Sequence, residues 1–476
     1  MTFKHYILAL IVCFICKFFS SPLQAQILSV KIQTQDHQAV KLNWLDSDSS
    51  FTYAVEYRDS LEEDDWKLLP RTGGWPARIF TFEDTLKEGT GSRFYRVIAS
   101  SMTQDADRGK LISWELVDEL SAFQLNFGLA LSGIDSFIAE QGVKIYKLTY
   151  ETIDVHGRVT IASGQVAFPE NKNQALPLAS YQHGTVINTE EVPSRFSFSN
   201  QESIVAPIMA SNGYIGIAPD YLGLGDSSGL HPFILAKPTA TSVVDMTRAA
   251  KSLAQKEDYI LSGKLFLFGY SEGGYATMVT HREMERHHAG EFSVTASAPM
   301  AGPYNVSGIL IDTMLGDRSY SNPFHLAYLI LSYHDAYGLF ENASEIFSKN
   351  YSPRVEDYLS GVSSFESLSS GLPKIPLQML NPDFVEEFSG NPTHSFRLLL
   401  QQNDISQWAP QAPIRLIHCS GDFTIPFENS QLVFNHIKKM GIDQVELINP
   451  STTGDHSQCI LPSLGRAKEL FDAMKE

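Results

Sequence analysis

Residues 264–276 read KLFLFGYSEGGYA, an apolar run that breaks into glycines on either side of Ser271. The run has the character of a buried strand, and the residues after it, YATMVTHREMERHH, carry a helical pattern. Gly269-Tyr270-Ser271-Glu272-Gly273 is thus a G-x-S-x-G pattern set between a strand and a helix. Small residues two before and two after the serine let the turn close where a Cβ would clash. Such a turn lifts a serine hydroxyl above the end of a sheet, and the following helix points its N-terminal dipole at it. Five residues of this kind recur by chance; the strand before and the helix after make the pattern specific.

A serine nucleophile needs a base, and the base needs a carboxylate to orient it. Downstream, LIHCSGDFTIP (416–426) ends a strand and puts Asp422 in the loop that follows. LINPSTTGDHSQC (447–459) ends the next strand and puts His456 in its loop. Asp455 is the rival carboxylate, but adjacent side chains point apart, which disfavours it as the partner of His456. An earlier strand ends in ASYQHGTVINT (179–189), where Gly184 permits close backbone approach. The amides of Thr185 and Glu272 are expected to face a developing oxyanion, and His183 to brace the loop.

The cysteines bear on the same loops. Cys419 lies three residues before Asp422 and Cys459 three after His456. If Asp422 and His456 meet, the two sulfurs are brought near each other. A Cys419–Cys459 disulfide is therefore expected, the alternative being two free thiols.

Around this core the chain alternates. KIYKLTYET and VTIASGQVAF read as an initial hairpin; LPLASYQHG, YIGIAP, KLFLFG, SVTASAPM, PIRLIHCS and QVELINP read as further strands. Helical patterns such as TSVVDMTRAAKSLAQ and ENSQLVFNHIKKMG lie between them. Strands alternating with helices imply an α/β, doubly wound, mostly parallel sheet covered on both faces. Apolar Leu116, Leu120, Phe123, Phe127 and Leu131 predict one helix over about 113–141 ahead of it. Residues 303–410 show no clear strand and read as a helical cap inserted over the sheet's working edge. There Tyr328, Leu329, Leu331, Tyr333 and Phe340 stand at helical spacing; such stripes are more often core than pocket lining.

Residues 26–102 differ in kind. VKIQTQ, AVKLNWL, FTYAVEYR, WKLLPR, RIFTFED and RFYRVIAS are short alternating runs separated by turn-forming clusters. They predict a small all-β sandwich with Trp44, Tyr53, Val55, Tyr57, Tyr95 and Val97 in its core. A polar stretch, SMTQDADRGK (101–110), reads as the linker to a second domain over 111–476.

The first 25 residues have Lys4, an apolar run from Tyr6 to Cys16, and Ala25 before a plausible cut, which together read as a signal peptide. An uncleaved anchor and a lipid-modified Cys13 are the weaker alternatives. Export to the periplasm, cell surface or medium is expected, where Cys419 and Cys459 can pair. The formal net charge of −18 opposes nucleic acid as a partner. His281, Glu285 and His288 could share a helix face, but without an H-E-x-x-H pattern they read as a polar face rather than a metal site.

The order Ser, Asp, His, each at a strand end, resembles the α/β-hydrolase superfamily over about residues 111–476. Within it, APDYLGLGDSSGLHPF, GYSEGGYA, GDFTIP and GDH resemble secretory lipases and esterases of the Candida lipase A type. That resemblance implies hydrolysis of small-molecule or lipid esters through a Ser271–His456–Asp422 triad, with no cofactor or metal. It also implies that Tyr221, Gly223 and Asp226 form the floor of the site. The front segment resembles a fibronectin type III module on its strand spacing, Trp44 and the FYRV run, and is expected to serve as a spacer or a surface or glycan contact. The alternatives are a secreted serine peptidase of the same fold, and a binding protein that uses the β-sandwich and has lost catalysis.

Overall fold

A computed structural model of the protein describes residues 30–35, 39–44, 51–60, 67–68, 81–86, 93–101, 108–134 and 136–475. The expected signal peptide, with Cys13 and Cys16, lies outside these residues, as do positions 102–107 of the expected linker.

In the front segment the alternating runs form strands β1 (Val30–Gln35), β2 (Ala39–Trp44), β3 (Phe51–Arg58), β4 (Lys67–Leu68), β5 (Thr81–Thr85) and β6 (Phe94–Ser101). They pair antiparallel as two three-stranded sheets, β1-β2-β5 and β4-β3-β6. Every second residue turns inward, and Val40, Leu42, Val55, Tyr57, Phe82, Tyr95 and Val97 are buried. The side chains of Trp44 and Tyr53 lie outside the described set.

The rest of the chain builds a nine-stranded sheet. Its strands are β7 (Leu111–Leu120), β8 (Val143–Ile153), β9 (Val159–Pro169), β10 (Leu176–Gln182), β11 (Ile215–Pro219), β12 (Leu261–Tyr270), β13 (Val294–Met300), β14 (Ile414–Ile417) and β15 (Val445–Ile448). They lie in the order β15-β14-β13-β12-β10-β11-β9-β8-β7. The six strands from β15 to β11 are parallel; β9, β8 and β7 continue antiparallel. The parallel strands β10, β11 and β12 have near-continuous apolar runs because helices cover both faces. Those helices are α1 (Ala122–Leu131), α2 (Gln201–Ser211), α3 (Ala236–Lys256) and α4 (Glu272–His287), with α11 (Glu428–Lys439) and α12 (Ile460–Asp472) near the end of the chain.

Between β13 and β14 the chain leaves the sheet and packs short helices: α5 (Ile311–Met314), α6 (Phe324–Tyr337), α7 (Ser352–Leu359), α8 (Phe365–Ser369), α9 (Pro382–Gly390) and α10 (Ser395–Gln402). Helix α6 is apolar on nearly every face and is buried accordingly. Its Tyr328, Leu329, Leu331 and Tyr333, with Phe340 beyond it, belong to one continuous core that also holds Tyr275 and Met278 of α4. The insertion is thereby seated on the helix that follows Ser271.

One expectation fails. Residues 113–141 are not a single helix. Leu111–Leu120 is the edge strand β7, hydrogen-bonded to β8. The helix is confined to α1, which Ser121 caps through a reciprocal box with Gln124. Of the stripe that drew the longer helix, Leu120 at the end of β7 is buried, while Phe123 is 78%, Phe127 58% and Leu131 75% exposed. Leu125, Gly128 and Leu129 face inward instead. Sheet pairing has overridden a helical period in the sequence.

Candidate active site

Strand register sets the site. Gln182 of β10 pairs with Gly269 of β12, Tyr270 with Met300 of β13, Met300 with Ile417 of β14, and Ile417 with Ile448 of β15. The loops holding His183, Ser271, Asp422 and His456 therefore leave the sheet at one rim. Strand β10 sits between β11 and β12, so the strand order reverses there, which is where open parallel sheets place ligands.

Ser271 occupies a backbone conformation that side chains rarely adopt, φ 61° and ψ −121°. Such strain persists only where the surroundings hold it. Its amide donates to Met300 O at 2.9 Å, and its carbonyl accepts from Gly274 and Tyr275. The flanking glycines are required: a Cβ on Gly269 would lie 2.4 Å from Gln182 O, and one on Gly273 only 1.9 Å from the same oxygen. The turn is pressed against β10 so closely that only hydrogen fits.

His456 Nε2 lies 2.9 Å from Ser271 Oγ, and its Nδ1 lies 2.5 Å from Asp422 Oδ2. The Tyr270 hydroxyl donates to His456 O at 2.7 Å and pins the loop. Burial pulls the Asp422 pKa upward, but hydrogen bonds from His418 and His456 outweigh it and bring it down to about 2. Asp455 is engaged elsewhere: its carboxylate accepts the Gln458 amide at 2.9 Å and closes the local turn. Cys419 and Cys459 are joined as a disulfide, their Cα atoms 6.3 Å apart. The acid and base loops pack tightly around it. A Cβ on Gly421 would lie 2.7 Å from Thr453 C, and one on Gly454 the same distance from Cys459 Sγ.

At the neighbouring strand end, His183 spans two carbonyls, Nδ1 at 2.7 Å from Gly184 O and Nε2 at 3.2 Å from Asp220 O. Its ring stacks on Tyr221, and the Tyr221 hydroxyl donates to His183 O. These contacts brace the loop and keep the imidazole off the reacting side. The Gly184 amide is committed to Glu202 Oε1 at 3.3 Å. Among the described residues, no protein acceptor takes the amides of Thr185 or Glu272. Tyr221 is buried against His183, Gly223 takes a positive φ against His231, and Asp226 is engaged by Lys147 and Arg195.

His281, Glu285 and His288 do not converge. His281 bridges Ser297 and Glu285, while His288 turns to Arg248 and Glu283. Among the described residues no group of His, Cys, Asp and Glu is arranged to hold a metal. From the cap, Tyr328 stacks on Phe233, with its ring 5.6 Å from that of His231.

Three residues near the site escape a reading of the sequence. His231 meets Glu272, His418 meets Asp422, and the cap's His325 is held neutral, its pKa lowered to about 3 by burial and then by His456. Two of them lie inside motifs that do stand out, GLHPF and LIHCSGD. Nothing in their spacing tells which side chain they face.

The model of the prolyl oligopeptidase family matches residues 197–300, the stretch that contains Ser271. A solved structure of a Legionella pneumophila protein described as a hydrolase is 29% identical, with a TM-score of 0.71, over 77% of this chain and 98% of that one. The rice cell wall degrading esterase LipA of Xanthomonas oryzae is 28% identical, with a TM-score of 0.69, over 77% of this chain and 100% of its own. The fold is that of the α/β-hydrolases. Candida antarctica lipase A shares this α/β-hydrolase fold at 15% identity and a TM-score of 0.56, over 78% of this chain and 83% of that one. A search of the curated proteins finds no match. The likenesses support a hydrolase of the α/β-hydrolase type.

Proposed function

We propose that the protein is an exported serine hydrolase that cleaves carboxylic esters. The observation that carries this reading is the chain of contacts from Ser271 Oγ through His456 to Asp422, at 2.9 and 2.5 Å. In the proposed reaction Ser271 Oγ attacks the ester carbonyl while His456 Nε2 takes its proton. Asp422 holds the Nδ1–H tautomer and stabilises the imidazolium that forms. The negative carbonyl oxygen is met by the amides of Thr185 and Glu272, the latter at the N-terminus of α4. His456 then protonates the departing alcohol. Water, activated by the same imidazole, releases the acid from Ser271.

Esters are preferred because the neighbours at 28–29% identity are described as a hydrolase and an esterase. The Xanthomonas enzyme's description as cell wall degrading raises a polysaccharide-borne ester as one substrate class. The front segment, read as a fibronectin type III-like module, would then serve as a surface or glycan contact. Export rests on the leader-like residues 1–25. A second reading, a secreted serine peptidase, is favoured by the family model over 197–300.

A panel of p-nitrophenyl esters of varied acyl length, run beside aminoacyl-anilides, separates the two. Turnover of the esters with none of the anilides is expected. Faster cleavage of the anilides overturns the ester assignment, and no turnover of either leaves binding through the front segment as the function.

A further inference from the structure

Asp422 is in contact with a second imidazole. His418, the first residue after β14, is fully buried, and its Nε2 lies 3.3 Å from Asp422 Oδ2. His456 Nδ1 meets the same oxygen at 2.5 Å. His418 Nε2 also lies 2.9 Å from Ile425 O. A carbonyl and a carboxylate only accept, so Nε2 carries the proton and donates to both. On the other side, Nδ1 lies 2.8 Å from Ser430 Oγ. Asp422 Oδ1 accepts the amides of Thr424 and Ile425, each at 2.9 Å. Two amides thus hold one carboxylate oxygen, and two imidazoles share the other.

We propose that His418 is a positioning residue for the reaction, holding Asp422 Oδ2 in line with His456 and sharing the carboxylate's charge. This rests on the reading of Ser271 as the nucleophile. The two effects are separable. As a tether, His418 opposes rotation of the Asp422 side chain, and a displacement of about 1 Å in such a relay costs about a hundredfold in rate. As a second donor, it draws on the charge available to His456. Without His418, Oδ2 serves His456 alone, the imidazolium is better stabilised, and the base of the reaction titrates at higher pH. A side chain that merely fills space does not move that titration.

The groups that face His418 are few. Asp422 and, across it, His456 come from the loops after β14 and β15, and the cap's His325 and the Tyr270 phenol of β12 lie against His456. Ser430 comes from α11, with the Tyr304 phenol behind it. The Phe427 ring packs edge-on at 5.6 Å and closes the remaining side.

The test compares His418→Leu, which has no donor, with His418→Gln, whose amide can reach Asp422. Active sites are first titrated with a fluorophosphonate. Then kcat and KM for a p-nitrophenyl ester are measured from about pH 5 to about pH 9, the span over which histidine titrates. For His418→Leu the inference expects kcat to fall about ten- to a hundredfold with KM nearly unchanged. It also expects the acid limb of kcat/KM to move up by about half a unit. His418→Gln should recover most of the rate and return the limb toward its original position. A His418→Leu protein within about twofold of the parent in kcat, or with an unmoved acid limb, overturns the inference. Should the leucine variant not fold, His418→Asn, too short to reach Asp422, takes its place against His418→Gln, and identical profiles for the two overturn the inference. Parent protein that takes no fluorophosphonate overturns the nucleophile reading itself; labelled parent with an indifferent position 418 overturns this inference alone.

Discussion

Glu272 Oε1 and His231 Nε2 meet at 2.5 Å, with the side chains only 3% and 2% exposed. Glu272 follows Ser271 directly and opens α4, so this pair anchors the residue whose amide is proposed to meet the oxyanion. His231 Nδ1 lies 2.9 Å from Leu222 O, which only accepts, so Nδ1 carries a proton.

Losing His231 leaves the Glu272 carboxyl buried without its partner. His231→Leu is expected to cost about 3–5 kcal/mol of stability, the range for removing one partner of a buried ion pair. Glu272→Gln keeps a hydrogen bond to the ring and should cost about 1 kcal/mol. Urea unfolding of the two variants checks the order; a His231→Leu protein as stable as Glu272→Gln would show that the contact is not a charged pair.

The Cys419–Cys459 bond closes 40 residues and ties the loop of Asp422 to that of His456. In the chain-entropy model a closure of that length contributes about 4 kcal/mol. Cys419→Ala/Cys459→Ala should lose that stability and also turn over esters more slowly, because the two loops are no longer held together. Denaturant midpoints with and without reductant read the effect. Parent protein with two alkylatable thiols before reduction refutes the bridge.

Asp422 titrates at about 2 against an ordinary value of 3.8. A carboxylate whose pKa is lowered by folding stabilises the native state fully above its unfolded pKa. That stability is lost as pH falls from the unfolded value through the folded one. The window is therefore about pH 4 down to about pH 2, and the contribution at stake is roughly 2 kcal/mol. Unfolding free energies measured across this window should fall more steeply for the parent than for Asp422→Asn, which has no carboxylate there. Asp422→Asn should also lose about three to four orders of magnitude in kcat near neutral pH, through the wrong tautomer of His456. Equal slopes for the two proteins would show that Asp422 is not held as an anion by its neighbours.

Much of this site is legible in the chain because it depends on local features. The apolar run 265–268, bounded by glycine, reads as a buried strand, and Gly269 and Gly273 announce the close approach to Gln182 that the structure contains. Loops after predicted strands place Asp422 and His456 at one rim because parallel strands share a direction. What the chain hides depends on tertiary partners. Residues 111–120 carry apolar residues at helical spacing, yet they find unpaired backbone groups on β8 and join the sheet. The capping box at Ser121 and Gln124 was the one local sign of where the helix begins. His231 and His418 sit in visible motifs, but their partners come from residues brought near only by the fold.

In the proposed reaction everything turns on Ser271, activated by His456, attacking the substrate. The most direct measurement is fluorophosphonate labelling followed by peptide mapping, with ester turnover recorded in parallel for the parent and for Ser271→Ala. One label is expected, on Ser271, with loss of both label and turnover in Ser271→Ala. Normal turnover by Ser271→Ala, or a label carried on another residue, would contradict it.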